Sequence, residues 1–395
     1  MDILEKCYAP GIADEFREKG LYPYFRPLQT RQGPEVIMEG QRRIMLGSNN
    51  YLGLTAHPKV TEAAQRALEA YGTGCSGSRF LNGTLDMHLK LEEKLAAFLR
   101  QEAAMTFSTG FQSNLGIISA LVGRNDYVIL DKEDHASIYD ACRLSYGKLL
   151  RYSHNNMEEL ERCLEKVPAS AGALIVTDGL FSMSGDLADL PNIVRLAKAY
   201  GARVMVDDAH GLGTIGQGGR GTPSYFGLEE EVDVYMGTFS KSLASLGGYM
   251  AGKSRVVDYL RHNSRPFIFS ASVPPASCAA ATAALEVLEQ EPERVEHLQN
   301  LSNFFRSALK ERGMAIRESV SPIVPIFTYM PQRTMEIAME LYRRGLFVNT
   351  VLPPAAPADG CMLRTSLMAT LTEDLLTEAA DILQEVLSLP RFLER

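Results

Sequence analysis

Gly237-Thr-Phe-Ser-Lys-Ser-Leu243 follows the apolar run Val232-Asp-Val-Tyr-Met236 and leads into Gly247-Gly248. The run reads as a buried strand, which places Lys241 just past its end. Taken alone, a lysine in such a place is a solvated loop residue, since lysine is seldom buried. A second stretch changes the reading. Val204-Met-Val-Asp-Asp-Ala-His210 is another apolar strand, ending in acid, acid, small residue and histidine. Open α/β sheets bind ligands at the C-terminal edge of their strands. An acid facing a pyridinium nitrogen and a lysine able to form an imine are the groups pyridoxal phosphate asks for.

Working outward, the same edge recurs. Ala103-Ala-Met-Thr-Phe107 is a short strand ending in Ser108-Thr-Gly-Phe-Gln-Ser-Asn114, which opens an apolar helix. Small and hydroxyl residues at a helix start expose backbone N–H groups and the positive dipole end, a seat for phosphate. They are equally good ordinary caps. Tyr127–Leu130 precedes Asp131-Lys-Glu-Asp-His-Ala-Ser137, and Ala173–Val176 precedes Thr177-Asp-Gly-Leu-Phe-Ser182. The strands lack polar alternation, so both sheet faces are expected under helices, with parallel pairing through right-handed crossovers. Helices are expected at 58–71, 86–100, 191–200, 275–289 and 295–312. A smaller α/β unit follows, with strands near 323–328 and 363–366 and helices near 334–344 and 373–388.

The organisation that results is an N-terminal arm (1–45), a large domain (46–285) and a small C-terminal domain (286–395). The arm holds a short amphipathic helix over 11–20, and a strand at 43–47 leads across its boundary into the large domain. Leu21-Tyr-Pro-Tyr-Phe-Arg-Pro27 cannot be helical across two prolines, and its aromatics are expected to cover another surface. Arg26 reads as a solvated rim charge rather than an anion contact.

With 395 residues, 46% hydrophobic and 22% charged, the composition is that of an ordinary globular protein. A net charge of −8 argues against nucleic acid or an anionic membrane as partner. The six cysteines show no paired spacing and no metal-ligand pattern, and the start lacks a secretory leader. A cytoplasmic enzyme without a metal is expected, although a lipid product would bring it into peripheral contact with membrane lipid.

One motif points elsewhere. Gly211-Leu-Gly-Thr-Ile-Gly216 fits the dinucleotide fingerprint and follows a strand. That fingerprint needs a regular helix after it. Gln217-Gly-Gly-Arg-Gly-Thr-Pro223 cannot supply one, and Asp233 falls inside the next strand rather than at its end.

Taken as a set, these motifs resemble the α-oxoamine synthases, fold-type I pyridoxal phosphate enzymes that condense an amino acid with an acyl-CoA. The resemblance runs from Ser48-Asn-Asn-Tyr-Leu-Gly-Leu54 to Leu363-Arg-Thr-Ser-Leu-Met-Ala-Thr370 and includes Gly-Ser-Arg at 77–79 and Asp-Asp-Ala-His-Gly at 207–211. It implies a large, mostly parallel sheet domain with helices on both faces and a smaller C-terminal α/β domain. By the resemblance Lys241 carries the cofactor and acts as base, Asp207 pairs with the ring nitrogen and His135 stacks on the ring. Ser182 and His210 sit by the 3-oxygen, and Ser108, Gly110, Phe111, Thr238 and Ser240 hold or flank the phosphate. Asn49 and Arg364 meet the substrate, with Arg364 receiving its carboxylate.

Within the family the stretches Leu21–Arg26, Tyr71–Thr84 and Ser264–Pro275 resemble bacterial serine palmitoyltransferases. This implies L-serine and a long-chain acyl-CoA as substrates and a 3-keto sphingoid base as product. Relatives that use glycine or alanine, and aminotransferases sharing Lys241 and Asp207, are the rival readings. A non-catalytic paralogue is disfavoured because Lys241 is present. The resemblance further implies a homodimer with its active site at the interface, Ser270 or a neighbour reaching the cofactor phosphate of the partner subunit. Leu371 stands where the family often has histidine, which removes a polar group near the site-facing strand.

Overall fold

The computed structural model describes residues 2–357 and 359–393. Its centre is a seven-stranded sheet of β1 (Ala103–Phe107), β2 (Tyr127–Asp131), β3 (Lys148–Tyr152), β4 (Ala173–Asp178), β5 (Arg203–Asp207), β6 (Val234–Thr238) and β7 (Gly248–Gly252). The spatial order is β1-β7-β6-β5-β4-β2-β3. Strands β2 to β6 pair in parallel, and β7 lies antiparallel between β6 and β1. Two strands of this sheet escape the sequence reading. The flanking glycines of Gly248-Tyr-Met-Ala-Gly252 disguise β7, and β3 is an edge strand with mostly solvated side chains.

Both faces of the sheet are covered, as the unalternating strands require. Ile129, Ile175, Val204 and Val206 enter one apolar core, while Val128, Leu130, Leu174, Val176 and Met205 enter a second on the opposite face. Side chains alternate along a strand, so successive apolar residues fill two cores at once. The helices fall close to expectation: Pro58–Tyr71, Asp86–Phe98, Leu190–Tyr200, Pro275–Gln290 and Glu293–Glu311. Residues 285 and 286 lie inside Pro275–Gln290, which is continuous there. Gly201 closes its helix with φ +69°, a conformation glycine adopts without steric cost.

Toward the C-terminus, Ile323–Tyr329, Cys361–Ser366 and Asn349–Val351 form an antiparallel sheet, with helices Pro331–Arg343 and Glu373–Leu387. The arm contributes a hairpin, Glu35–Met38 with Gln41–Met45, whose second strand runs parallel to Leu346–Phe347. Residues 35–45 thus share a sheet with a C-terminal segment. The segment at 21–27 is non-helical; the Tyr24 hydroxyl reaches Thr350 Oγ1 at 3.2 Å, whereas Phe25 is 93% exposed and covers no surface within this chain. Arg26 is no free rim charge. Its guanidinium bonds Glu39 at 2.8 Å and lies 4.0 Å from the Tyr342 ring centroid.

The 211–216 motif makes no dinucleotide loop. A three-residue turn (Gln217–Gly219) and a four-residue helix (Thr222–Tyr225) follow it. The stretch folds back on the Asp208 carboxylate, which accepts from Thr222 N at 2.8 Å and Thr222 Oγ1 at 2.6 Å. Asp233 precedes β6 rather than lying within it and accepts from Arg203 and the Val204 amide.

Candidate active site

The C-terminal ends of β4, β5 and β6, with the loops after β1 and β2, close around a cavity of about 250 Å³. At its floor Asp207 ends β5, buried in the sheet. The Asn114 amide donates to Asp207 Oδ2 at 2.7 Å and the Ala209 N–H to Oδ1 at 3.1 Å. Asn114 stands one helical turn after Gly110, which aims it from the helix Gly110–Leu121 toward the sheet. Its second amide hydrogen reaches Ser137 Oγ at 2.8 Å, and Ser137 Oγ lies 2.7 Å from His135 Nδ1. The Ser137 N–H also donates to His135 Nδ1, at 3.3 Å. The network therefore assigns the His135 hydrogen to Nε2. Burial lowers the His135 pKa, against the pull of Asp207, and keeps the ring neutral.

Lys241 lines the same cavity. Burial lowers the pKa of its amine, while Asp207 and Asp178 act in the opposite direction. His210 is buried and its pKa falls well below the ordinary value, through burial first and then Lys241, Arg364 and His135. Tyr51, whose phenol is pushed up mainly by burial, contacts His210 Nδ1 at 2.6 Å. The same hydroxyl donates to Asn49 Oδ1 at 3.3 Å and accepts from Arg364 at 3.2 Å, so the phenol ties the His210 ring to Asn49 and Arg364.

The other end of the cavity is a cradle. Thr109 caps the helix Gly110–Leu121 through the Gln112 N–H at 3.1 Å. The N–H groups of Gly110 and Phe111 lie in the first turn, where a helix offers them no carbonyl. The Thr238 and Ser240 hydroxyls are 2.9 Å apart beside them. Packing forces glycine at 110, because a Cβ there would sit 2.8 Å from Thr238 Cβ.

An acid, a buried amine and an anion seat in one cavity match the functional groups of pyridoxal phosphate. Asn114 Oδ1 and Asp178 Oδ2 are buried there with no hydrogen-bond partner, which is what a site shaped around a polar ligand leaves behind.

Of the residues singled out from the sequence, His135, Ser182, Asp207, His210, Gly110, Phe111, Thr238, Ser240 and Lys241 line this cavity. Ser108, Ser270, Asn49 and Arg364 lie outside its lining. Ser108 Oγ donates to the Ala271 carbonyl, and Ser270 Oγ accepts from Gln112 Nε2 at 3.1 Å. Arg364 is buried behind Ser182, donating to the Ser182 carbonyl at 2.5 Å, Ser366 Oγ at 2.5 Å, Asn49 Oδ1 at 3.0 Å and Tyr51 OH at 3.2 Å. Leu371 is packed in the apolar core and does not face the cavity. Sequence reasoning gave no role to Asn114, Ser137 or Tyr51. Their signal was spacing: one helical turn after Gly110, two residues after His135 and two after Asn49.

Comparison with known proteins agrees with this geometry. The family described as aminotransferase class I and II matches residues 42–383. A serine palmitoyltransferase of Sphingobacterium spiritivorum is 53% identical, over 94% of this chain and 93% of its own length. An 8-amino-7-oxononanoate synthase of Bacillus velezensis is 43% identical, over 94% and 95% respectively. A serine palmitoyltransferase from S. paucimobilis, solved with a PLP–myriocin aldimine, superposes with a TM-score of 0.95 at 36% identity, covering 98% of each chain. With the fold, the cavity and these relatives in agreement over nearly the whole length, the chain belongs to the class I and II aminotransferase family of fold-type I pyridoxal phosphate enzymes, in its α-oxoamine synthase branch.

Proposed function

We propose that the chain condenses L-serine with a long-chain acyl-CoA, best palmitoyl-CoA, releasing CoA and CO₂ and giving a 3-keto sphingoid base. The observation that carries this reading is the convergence of Lys241, Asp207, His135 and His210 on one cavity in a chain 53% identical to a serine palmitoyltransferase.

Lys241 would hold pyridoxal phosphate covalently, Asp207 would face its ring nitrogen, and Gly110, Phe111, Thr238 and Ser240 would seat its phosphate. When bound, the cofactor supplies an electron sink for the charge that develops at the amino acid's Cα. Asp207, fixed by Asn114 and the Ala209 N–H, keeps a proton on the group opposite it. Lys241, its amine shifted toward the neutral form by burial, takes the Cα proton as general base. His210, its ring held by Tyr51, would donate a hydrogen bond to an oxygen. Arg364 orients the amino acid's carboxylate, exchanging one of its present partners for it. A C–C bond then forms between Cα and the thioester carbonyl carbon, the C–S bond breaks and CoA leaves as a thiolate that takes a proton from water, and the carboxylate leaves as CO₂ while Lys241 returns its proton to Cα.

The same reading includes a cytoplasmic homodimer with the site at its interface, Ser270 or a neighbour serving the other subunit's phosphate. Exposed apolar side chains beside the cavity support it: Phe111 at 43%, Leu246 at 53% and Phe269 at 74%. Among the described residues no helix is long and apolar enough to cross a membrane. Exposed Ile3, Leu4, Tyr8 and Ile12 on the arm support peripheral contact with lipid.

The test is to supply purified holoenzyme with L-serine, glycine or L-alanine, each with palmitoyl-CoA or a short-chain acyl-CoA, and to follow free CoA thiol and product mass. CoA release with L-serine and palmitoyl-CoA together is expected. Turnover only with alanine and a short acyl thioester would move the chain to another member of the branch. Loss of the amino group without any thioester would make it an aminotransferase.

A further inference from the structure

A line of alternating charge runs from the sheet to the C-terminal region outside the cavity. Asp131, fully buried at the end of β2, lies 3.2 Å from His154 Nδ1. His154 Nε2 lies 3.3 Å from Asp186 Oδ2, and Asp186 is bonded in turn by Arg317. With a carboxylate at each ring nitrogen, both nitrogens donate, so the ring is an imidazolium. Burial alone would lower the His154 pKa, but the bonds to Asp131 and Asp186 outweigh it and hold the pKa at about 10.

The charge line grips one loop. Residues 180–187 fold back on themselves, with Leu180 bridged to Leu187 and the Phe181 N–H on the Asp186 carbonyl at 2.9 Å. The Phe181 ring meets His154 edge-on at 4.4 Å between centroids. Asn155, at φ +51°, donates to the Leu187 carbonyl at 3.0 Å and accepts from the Asp189 N–H at 2.9 Å. On the far side the Gly185 carbonyl accepts from Ser321 Oγ at 2.9 Å. Gly185 has φ +73°, and a Cβ there would lie 2.8 Å from the Ile323 carbonyl oxygen. At the loop's tip Ser182 faces the cavity, and its carbonyl receives Arg364 Nε.

We infer that His154 is a positioning residue for the amino-acid end of the active site, fixing the 180–187 loop so that Ser182 and, through its carbonyl, Arg364 are held where the substrate carboxylate binds. This rests on the proposed amino-acid condensation and deepens it. Acyl-CoA binding does not depend on the clamp.

The test uses the holoenzyme and His154→Gln, which keeps a side chain of similar reach but removes the charge. The amino-acid dissociation constant is read from the cofactor absorbance without acyl-CoA, and KM is measured for both substrates. The expected result is about a tenfold weaker L-serine affinity, as for loss of a charge-assisted bond, with cofactor retained and the acyl-CoA KM within about twofold. Asp186→Asn, which leaves the Asp131 pair in place, should act in the same direction. The double variant should be no worse than the weaker single one. A variant that melts earlier yet binds serine like the parent, or one whose acyl-CoA KM rises in step, would overturn the inference. If His154→Gln fails to fold, Asp186→Asn gives the same reading. If the parent responds to glycine or alanine instead of serine, the proposed substrate fails, while the comparison with that amino acid still decides the role of His154.

Discussion

Asp178 and Asp207 are register partners at the C-terminal ends of the adjacent parallel strands β4 and β5, and both are buried. Two carboxyl groups side by side in the interior do not ionise equally. Asp207 has the Asn114 amide and the Ala209 N–H to stabilise its charge, whereas Asp178 Oδ2 has no partner. Burial first, and then the Asp207 charge, raise the Asp178 pKa well above the ordinary carboxylate value.

A pH dependence follows. A carboxyl group whose folded pKa exceeds its unfolded value stabilises the fold fully below the unfolded value of 3.8, and that contribution is lost as pH rises through the folded pKa. Asp178→Asn removes the titration while keeping the shape. In cofactor-free protein the variant should be more stable than the parent at about pH 7, with the difference vanishing toward about pH 4. Melting curves across pH measure this; a difference that stays constant would assign the titration to another group.

Lys241→Ala tests the centre of the site. The side chain lines the cavity rather than filling an apolar cluster, so the fold should survive. Condensation should fall by about a thousandfold or more, since both the covalent anchor and the base are lost. Added cofactor should then be removable by dialysis, whereas in the parent it stays with the protein. Retained turnover in the variant would remove Lys241 from the chemistry.

Asn114 is a positioning residue for Asp207, and Asn114→Ala should expose that function. The lost bond is one to a charged acceptor, about 1.5–3 kcal/mol, so cofactor affinity should drop by about ten- to a hundredfold. Asn114→Asp should be worse, because it places a second carboxyl group, after Asp178, beside Asp207. Equilibrium dialysis of the cofactor distinguishes these from a general loss of fold, which circular dichroism would report.

What was legible in the sequence was the set of elements whose apolar residues are continuous. Val234–Met236, Val204–Val206 and Ala173–Val176 read as strands covered on both sides, and the chemistry sits where each run stops. The strand β7 was not legible because Gly248 and Gly252 are strand residues here for a packing reason that involves distant partners. Nor was the hairpin at 35–45 joined to its partner, since the pairing with Leu346–Phe347 spans most of the chain. Tyr51 and Asn114 belong to the site only through three-dimensional hydrogen bonds to His210 and Asp207. The burial of Arg364 behind Ser182 likewise depends on how the loop at 180–187 meets the strand Cys361–Ser366.

Gly248 offers a test of that packing. A Cβ at this position would lie 2.5 Å from Ser113 Oγ, 2.8 Å from Gly110 Cα and 2.9 Å from Gly110 N. The serine hydroxyl can turn away, but the Gly110 backbone cannot yield without moving the helix start that forms the anion seat. Gly248→Ala should therefore cost about 1–3 kcal/mol of stability by overpacking. It should also weaken binding of a phosphate-bearing cofactor more than binding of pyridoxal, which lacks the phosphate. Measured by denaturant melts and by titration with the two compounds, an equal loss for both would mean that the strain is absorbed away from Gly110. A selective loss for the phosphorylated one would place the seat at the Gly110–Thr238 contact.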